Sequence, residues 1–295
     1  MPAPRPAAGR GVHTAALGTS ATHRDATFGP MRPSPQRHPY FSAGDPPRVL
    51  AHRGLVSPDA AAQGVVENSF AAVAAAHAAG ASYVESDCHL TADGTVVLFH
   101  DADLSRVTGD PRAIADVRTH ELEELMSERG GLITLAQALD AFPDVRLNLD
   151  VKAEAAAEPA GRLVAPHAAR VLLTSFSDER RRRALAAARA AGAEISPATS
   201  PGSATVARLL AARAARLTPW VRALLADLDA LQLPERRGPL RVVTPGLVRA
   251  AHAAGVEVHV WTVNDETDME RLLDLGVDGI VTDRADVALS VVNGR

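Results

Sequence analysis

The strongest constraint on the fold is an alternation of short β-branched runs with alanine-rich segments, which begins near Arg48 and continues almost to the end of the chain. The runs predict β-strands and the segments between them predict helices. This alternation favours βα units and hence a parallel sheet. Eight runs have this character: Val49–His52, Tyr83–Asp87, Arg146–Lys152, Val171–Phe176, Ala193–Ala198, Leu228–Leu233, Val256–Val263 and Gly279–Asp283.

A ninth run, Thr95–His100, is too close to the second run to be its parallel neighbour. Only Thr91-Ala92-Asp93-Gly94 separates the two runs, and Asp-Gly is a hairpin signal, whereas a parallel partner needs a crossover of about a dozen residues. We therefore predict an antiparallel excursion over the mouth of an eight-stranded (β/α)8 TIM barrel. Residues 48–295 are close to the ~250 residues typical of that fold, whose active sites form at the C-terminal ends of the strands.

The first 47 residues differ from the rest of the chain. They are rich in Pro, Gly, Ala, Ser and Thr and show neither strand nor helix periodicity. We predict a disordered tail over residues 1–47 and a barrel domain over residues 48–295. Met31 is an alternative start, and the stretch that ends at Phe41 is the part of the tail most able to dock on a fold.

Composition and charge exclude several classes of protein. The net charge of −4 does not predict the basic surface of a nucleic-acid binder. No apolar run reaches the roughly 18–20 residues of a membrane-spanning helix. The single cysteine, Cys88, cannot form an intrachain disulfide, which favours a reducing, cytoplasmic location. The oligomeric state cannot be derived from the sequence.

Three carboxylates are predicted to face the barrel interior near its mouth. Side chains alternate along a strand, so Glu85 and Asp87 point to one side, and Asn148, Asp150 and Lys152 also point inward. Carboxylates that share a pocket repel one another and lose hydration, so a cation or a basic partner must offset them. We predict that Glu85, Asp87 and Asp150 bind Ca2+ or Mg2+, which prefer oxygen ligands, whereas an outward-facing cysteine disfavours zinc.

Two histidines also end strand-like runs. His52 is followed by Arg53, and His100 is followed by Asp101. A histidine pair can act as general base and general acid, because the imidazole pKa lies near working pH. Arg53 and Lys152 could both bind phosphate oxygens.

Two further residues have alternative interpretations. Glu67 either caps the helix that follows it or contacts substrate and orients a neighbouring group. Trp261 either packs in the core or lies against the apolar part of a substrate.

Taken together, these motifs resemble the glycerophosphodiester phosphodiesterase family, over roughly residues 48–285. Any one motif is weak, but seven in order are specific. They are His52-Arg53-Gly54, Glu67-Asn68, Glu85-Ser86-Asp87, Thr91-Ala92-Asp93-Gly94, His100-Asp101 through Leu104-Ser105-Arg106-Val107-Thr108, Asp150-Val151-Lys152, and Trp261-Thr262-Val263-Asn264 with Gly276-Val277-Asp278-Gly279-Ile280-Val281-Thr282-Asp283.

The resemblance implies a TIM barrel related to that of phosphoinositide-specific phospholipase C. It also implies a divalent metal, usually Ca2+ or Mg2+, at the positions of Glu85, Asp87 and Asp150. Many family members carry Glu where this chain has Asp150. The shorter side chain leaves the metal preference and the range of substrates open.

The resemblance further implies that His52 is the general base, that His100 is the general acid, and that Arg53 and Lys152 contact phosphate. In the mechanism usually proposed, the glycerol 2-hydroxyl attacks phosphorus, an alcohol leaves, and water opens the cyclic phosphate. The expected substrate is a small glycerophosphodiester, and the products are glycerol 3-phosphate and an alcohol.

Two alternatives stay open. One is a lysophospholipase D or sphingomyelinase D-like hydrolase, which would need an apolar groove; the low aromatic content, 3%, counts against it. The other, from a different class, is an inactive barrel that binds a phosphorylated ligand.

Overall fold

The protein is described by a computed structural model that covers Met1 and residues 37–295. The described strands are β1 Arg48–His52, β2 Tyr83–Leu90, β3 Val96–Leu98, β4 Arg146–Val151, β5 Val171–Thr174, β6 Ala198–Thr199, β7 Ala230–Pro234, β8 Arg236–Arg237, β9 Leu240–Arg241, β10 Glu257–Trp261 and β11 Gly279–Thr282.

Twelve α-helices lie between and after these strands in the described residues. They are α1 Pro58–Ala62, α2 Phe70–Ala78, α3 Ser105–Thr108, α4 Thr119–Met126, α5 Leu135–Ala141, α6 Ala157–Val164, α7 Asp178–Ala190, α8 Ser203–Ala214, α9 Thr218–Leu225, α10 Pro245–His252, α11 Glu266–Asp274 and α12 Ala285–Asn293. None of the helices in the described part of the chain is long and apolar enough to cross a membrane.

Eight parallel strands form a nearly closed barrel in the order β6-β5-β4-β2-β1-β11-β10-β7. Two hydrogen bonds between β6 and the residue before β7 link the two edge strands: Asp229 N–H donates to the Thr199 carbonyl (3.0 Å), and Thr199 N–H donates to Asp229 Oδ2 (2.8 Å). The prediction of a (β/α)8 barrel is confirmed. The predicted run Ala193–Ala198 overlaps the observed strand only at Ala198, since Pro197 has no N–H for the ladder.

The hairpin excursion after the second barrel strand is also confirmed. β3 pairs antiparallel with the end of β2, with Cys88 opposite Leu98. The excursion segment, residues 91–134, has a small apolar cluster of its own that includes Phe99, Leu104 and Met126. It therefore packs as a unit beside the barrel, at the end where β2 finishes.

The largest apolar cluster lies between the strands and the surrounding helices, and a smaller one fills the barrel interior. The interior cluster includes Leu50, Leu172 and Val281, together with Tyr40 and Phe41 from a 3-10 helix at Pro39–Ser42. Of the predicted tail, residues 2–36 lie outside the described residues. Residues 37–47 belong to the part that is described, where Tyr40 and Phe41 are buried.

A buried charge network lies at the amino ends of the strands. Arg48 donates to Glu257 (Nε to Oε2, 2.8 Å) and to the Phe41 carbonyl (2.9 Å). His259 Nε2 lies 2.9 Å from Glu257 Oε2. Burial raises the pKa of Glu257, but the hydrogen bonds from His259 and Arg48 outweigh it and hold that pKa at about 2.

Candidate active site

The carboxyl ends of β1, β2 and β4 bring together most of the predicted site residues. The strand register places His52 beside Glu85, and Asp87 beside Asp150. All three carboxylates are at least nine-tenths buried. Inward-facing residues in neighbouring parallel strands lie side by side, so these four side chains occupy one mouth of the barrel.

Two basic side chains bind the buried aspartates. Lys152 Nζ lies 3.0 Å from Asp87 Oδ1 and 2.7 Å from Asp150 Oδ2. Arg53 Nε lies 3.1 Å from Asp87 Oδ2. Burial and repulsion from Asp87 and Asp150 raise the pKa of Glu85 well above its usual value. Burial also raises the pKa of Asp150, although the ammonium of Lys152 opposes this.

Three buried oxygens at this mouth have no hydrogen-bond partner among the described residues: Glu85 Oε2, Asn148 Oδ1 and Asp150 Oδ1. Asn148 is paired in register with Glu85 and lies two residues before Asp150, so all three side chains face the interior. Unpaired oxygens of this kind are costly unless a donor or a cation satisfies them. The donor set therefore fits a hard divalent cation.

Within the described ranges, no three His, Cys, Asp or Glu side chains already form a group that could hold a metal ion. Lys152 and Arg53 instead bind oxygens of Asp87 and Asp150. The predicted ligands share one mouth but lie in an ion-paired arrangement.

Each of the two predicted histidines is held by a carboxylate. His52 Nδ1 lies 2.6 Å from Asp283 Oδ1, and His100 Nδ1 lies 2.6 Å from Asp101 Oδ1. His52 Nε2 is directed towards Glu85, 3.8 Å from its Oε2. A carboxylate on Nδ1 fixes ring orientation and leaves Nε2 for proton transfer.

Asp283 is itself held in place by Asn264. The Asn264 amide donates to Asp283 Oδ2 (2.7 Å), and the backbone N–H of Asp283 donates back to Asn264 Oδ1 (2.9 Å). Burial raises the pKa of Asp283, but hydrogen bonds from His52 and Asn264 lower it overall. The sequence patterns did not predict roles for Asn264 and Asp283. The signal for Asp283 is its place as a polar residue at the end of the last predicted strand.

The loop after β1 places Arg53 by an unusual backbone path. Arg53 has φ +59°, and its N–H donates to the Glu85 carbonyl (2.8 Å). The next residue, Gly54, has φ +90°, and a Cβ there would lie 2.6 Å from backbone atoms of Ala72. Only glycine fits this position, because the loop packs directly on α2.

Glu67 does not cap the helix that follows it. The cap of α2 is Ser69, whose Oγ accepts from Ala72 N–H (3.1 Å). Glu67 Oε1 instead accepts from Arg53 Nη1 (2.8 Å) and from Arg106 Nη2 (2.7 Å). Glu67 therefore orients Arg53.

Trp261, at the end of β10, lies at the same mouth as the charged residues. Its ring packs edge-on against Phe176, with ring centroids 5.9 Å apart. Phe176 is 56% exposed, and Lys152 Nζ lies 5.2 Å from its ring centroid. Phe176 was not predicted as a site residue, because a phenylalanine at the end of a strand is normally expected to pack in the core.

The family model described as the glycerophosphoryl diester phosphodiesterase family matches residues 52–287. The chain belongs to this family. A relative from Mycobacterium tuberculosis, named probable glycerophosphodiester phosphodiesterase 2, is 38% identical over 250 residues, which are 84% of this chain and 91% of that protein. A glycerophosphodiester phosphodiesterase of Caldanaerobacter subterraneus is 26% identical and covers 83% of this chain and 97% of its own length.

Solved structures of the family share the fold. A glycerophosphodiester phosphodiesterase from Parabacteroides distasonis superposes with a TM-score of 0.63 at 25% identity, and covers 85% of this chain and 98% of its own. A phosphodiesterase from Oleispira antarctica, solved with the product sn-glycerol-3-phosphate, has a TM-score of 0.62 at 24% identity over 84% and 97% of the two chains. The predictions of family and enzyme class are confirmed.

Proposed function

We propose that this chain hydrolyses glycerophosphodiesters to glycerol 3-phosphate and an alcohol by acid–base catalysis with His52 and His100. The observation that carries this proposal is the matched pair of histidine–carboxylate contacts at one barrel mouth, 2.6 Å each. Arg53 and Lys152 share that mouth and supply positive charge for a phosphodiester.

In the first stage His52 Nε2 takes the proton of the glycerol 2-hydroxyl, whose oxygen attacks phosphorus. His100 donates a proton to the departing alcohol oxygen as its bond to phosphorus breaks, which leaves a cyclic phosphate. In the second stage His100 takes a proton from water and the water oxygen attacks phosphorus. The bond between phosphorus and the glycerol 2-oxygen breaks, and His52 returns its proton to that departing oxygen, which becomes the 2-hydroxyl again. The histidines then regain their starting protonation states.

The residues proposed to bind the phosphodiester are held in place by neighbouring side chains. Arg53, oriented by Glu67, would bind phosphate oxygens, and Lys152 would add a point charge beside it. Trp261, backed by Phe176, would contact the apolar part of the substrate. Charge on the phosphate oxygens is thereby stabilised as the alcohol leaves.

A divalent cation, Ca2+ or Mg2+, fits the same mouth. Glu85, Asp87 and Asp150 would hold it. Asn148 Oδ1, which has no hydrogen-bond partner in the described part of the chain, would be a further oxygen ligand. When bound, the cation would offset the carboxylates and polarise the phosphoryl oxygens. Lys152 would then be released from Asp87 and Asp150 to face the substrate.

A lysolipid substrate is a second candidate. The exposed face of Phe176 beside Trp261 gives this mouth an apolar surface that could contact an acyl chain. A rat relative named lysophospholipase D GDPD1 is 24% identical over 280 residues. In either case the proposed substrate is a small molecule. We also propose a cytoplasmic location, which is supported by the free thiol of the buried Cys88.

The test is hydrolysis of glycerophosphocholine and lysophosphatidylcholine by the purified full-length protein, with and without EDTA. His52→Ala and Asp150→Ala should each lose at least about 100-fold in kcat on the preferred substrate. His252→Ala is the matched control: its Nε2 lies 2.7 Å from a carboxylate, Asp278, which precedes β11 at the opposite end of the barrel.

EDTA should abolish turnover, and added Ca2+ or Mg2+ should restore it. Metal-independent turnover, or activity that survives both active-site substitutions, would contradict the mechanism. Turnover of lysophosphatidylcholine alone would select the lysolipid alternative, and specific binding without any turnover would indicate an inactive phosphate-binding barrel.

A further inference from the structure

Arg106 connects the excursion segment to the first loop of the barrel. It lies on α3, a single helical turn inside the excursion. Its Nε donates to Asp101 Oδ2 (2.6 Å) and its Nη2 donates to Glu67 Oε1 (2.7 Å). One guanidinium thus binds a carboxylate that follows β3 and a carboxylate that precedes α2.

Each of these carboxylates holds a proposed site residue. Asp101 binds His100 Nδ1 at 2.6 Å, and Glu67 binds Arg53 Nη1 at 2.8 Å. The contacts form a continuous chain in which basic and acidic side chains alternate. It runs from the excursion to the barrel strands through His100, Asp101, Arg106, Glu67, Arg53 and Asp87.

The backbone of His100 has supports of its own. β3 is paired with β2, and His89 Nε2 lies 3.2 Å from the His100 carbonyl oxygen. The imidazole is different: its side-chain hydrogen bond in the described structure goes to Asp101, and Asp101 is anchored in turn by Arg106. Loss of Arg106 would therefore free the ring while leaving the backbone in place.

We infer that Arg106 is a positioning residue that aligns the imidazole of His100 over the phosphate site by fixing Asp101 relative to the Glu67–Arg53 pair. The inference rests on the function proposed above. Burial raises the pKa of Asp101, but hydrogen bonds from Arg106 and His100 lower it overall, so Asp101 stays a charged acceptor at neutral pH. Arg106 is 53% exposed, and exposed ion pairs contribute little to stability.

The variants are Arg106→Gln, Arg106→Lys and a control, Arg112→Gln. Arg112 lies on the same excursion and also bridges two carboxylates, Asp110 and Glu121, but it contacts neither Asp101 nor Glu67. Arg106→Gln and Arg112→Gln therefore remove the same charge and the same kind of ion pair from one segment. They differ in whether the lost contacts lead to His100.

The kinetic readout compares two leaving groups in the full-length enzyme. Glycerophosphocholine needs a proton on its leaving alcohol, whereas a glycerol p-nitrophenyl phosphodiester releases a phenolate that departs without one. In single-turnover measurements of the released leaving group, which report the first stage only, Arg106→Gln should lower the rate on the first substrate by about 10- to 100-fold and change it by less than about threefold on the second. KM should change little, Arg106→Lys should recover part of the loss, and Arg112→Gln should resemble the wild type.

Equal losses on both leaving groups, or a rise in KM with kcat unchanged, would overturn the inference, because Arg106 would then act through Arg53 or the fold. No loss on glycerophosphocholine would also overturn it. Failure of the wild type on every phosphodiester would count against the proposed function instead.

A second readout needs no turnover. With 15N-labelled histidine at alkaline pH, where the neutral imidazole form is observed, and with His100→Ala to assign the signal, the neutral ring of His100 in the wild type should be one tautomer with its proton on Nδ1. Arg106→Gln should give a mixture of tautomers, and Arg112→Gln should not. An unchanged His100 signal in Arg106→Gln would overturn the inference even if the protein hydrolysed nothing.

Discussion

At the scale of single residues, the site depends on polar atoms that strand alternation places inside the barrel. Strand alternation places Glu85, Asp87 and Asp150 on the inward face of neighbouring strands, so their grouping could be predicted from the sequence. Their partners could not. Lys152 binds both aspartates, and Asn148 Oδ1 accepts no hydrogen bond from any described residue. These contacts depend on side-chain rotamers, which are set by neighbours from three strands.

Asn148 gives a prediction about the proposed metal site. Asn148→Leu replaces a buried Oδ1 that has no hydrogen-bond partner among the described residues by a methyl group on a side chain with the same branching, so the metal-free protein should be as stable as the wild type or up to about 2 kcal/mol more stable. The gain in Tm on adding Ca2+ or Mg2+ should shrink, because one proposed oxygen ligand is lost. Thermal unfolding with and without each metal measures both effects.

Gln232→Leu is the control for this experiment. Gln232 is an amide on β7, where its Nε2 lies 3.5 Å from His259 Nδ1 rather than near the carboxylates. Its metal-induced Tm gain should equal that of the wild type. If Asn148→Leu keeps the full gain as well, Asn148 does not bind the metal.

At the scale of secondary-structure elements, two short segments position the proposed catalytic groups. The hairpin between β2 and β3 follows from the Asp93-Gly94 turn and was predictable, because a two-stranded antiparallel pair needs only local sequence. The loop after β1 was not. Its path is set by the packing of Gly54 on Ala72, a contact between a loop and a helix that no local pattern encodes.

Gly54→Ala should destabilise the protein by roughly 1–3 kcal/mol more than Gly80→Ala, because the added methyl group overlaps the backbone of Ala72. Gly80 is a matched control: its φ is +93°, close to the +90° of Gly54, but a Cβ there meets no atom within 4 Å. Both variants place an alanine at a positive φ and so introduce the same backbone strain. Only Gly54→Ala adds a steric clash with Ala72. Urea unfolding measures the free energy of unfolding of each variant. Equal losses of stability would show that α2 shifts to accommodate the methyl group at no energetic cost.

At the scale of the whole molecule, the two ends of the barrel carry different charge networks. The mouth holds Glu85, whose pKa is raised by burial and by neighbouring carboxylates. The opposite end holds Glu257, whose pKa is about 2 because hydrogen bonds from His259 and Arg48 outweigh its burial. The mouth therefore carries repulsion between buried carboxylates, which the proposed cation would relieve, whereas the hydrogen bonds at the opposite end contribute stability.

Glu257→Gln should therefore lower the free energy of unfolding in a pH-dependent way. The pKa of Glu257 is depressed in the folded state, from 4.5 to about 2, so its contribution is fully present above about pH 4.5 and is lost as pH falls towards 2. The shift corresponds to on the order of 3 kcal/mol near pH 7. Unfolding of wild type and variant between pH 2 and 7 measures this difference.

The wild type and Glu257→Gln should converge towards pH 2, while the control Glu270→Gln, an exposed position on α11, should follow the wild type throughout. A difference that is constant across this range would mean that Glu257 acts through packing rather than charge.

The sequence by itself determined the βα alternation, the hairpin and the inward-facing polar residues, because these depend on periodicities that any extended or helical segment must obey. Three other features depend on tertiary packing. Asp283 binds His52, and Tyr40 enters the barrel interior. Arg106 connects Asp101, the partner of His100, to Glu67. Asp283 is 231 positions from His52 in the chain. Closure of the barrel brings its first and last strands side by side, and no local pattern along the chain encodes that contact.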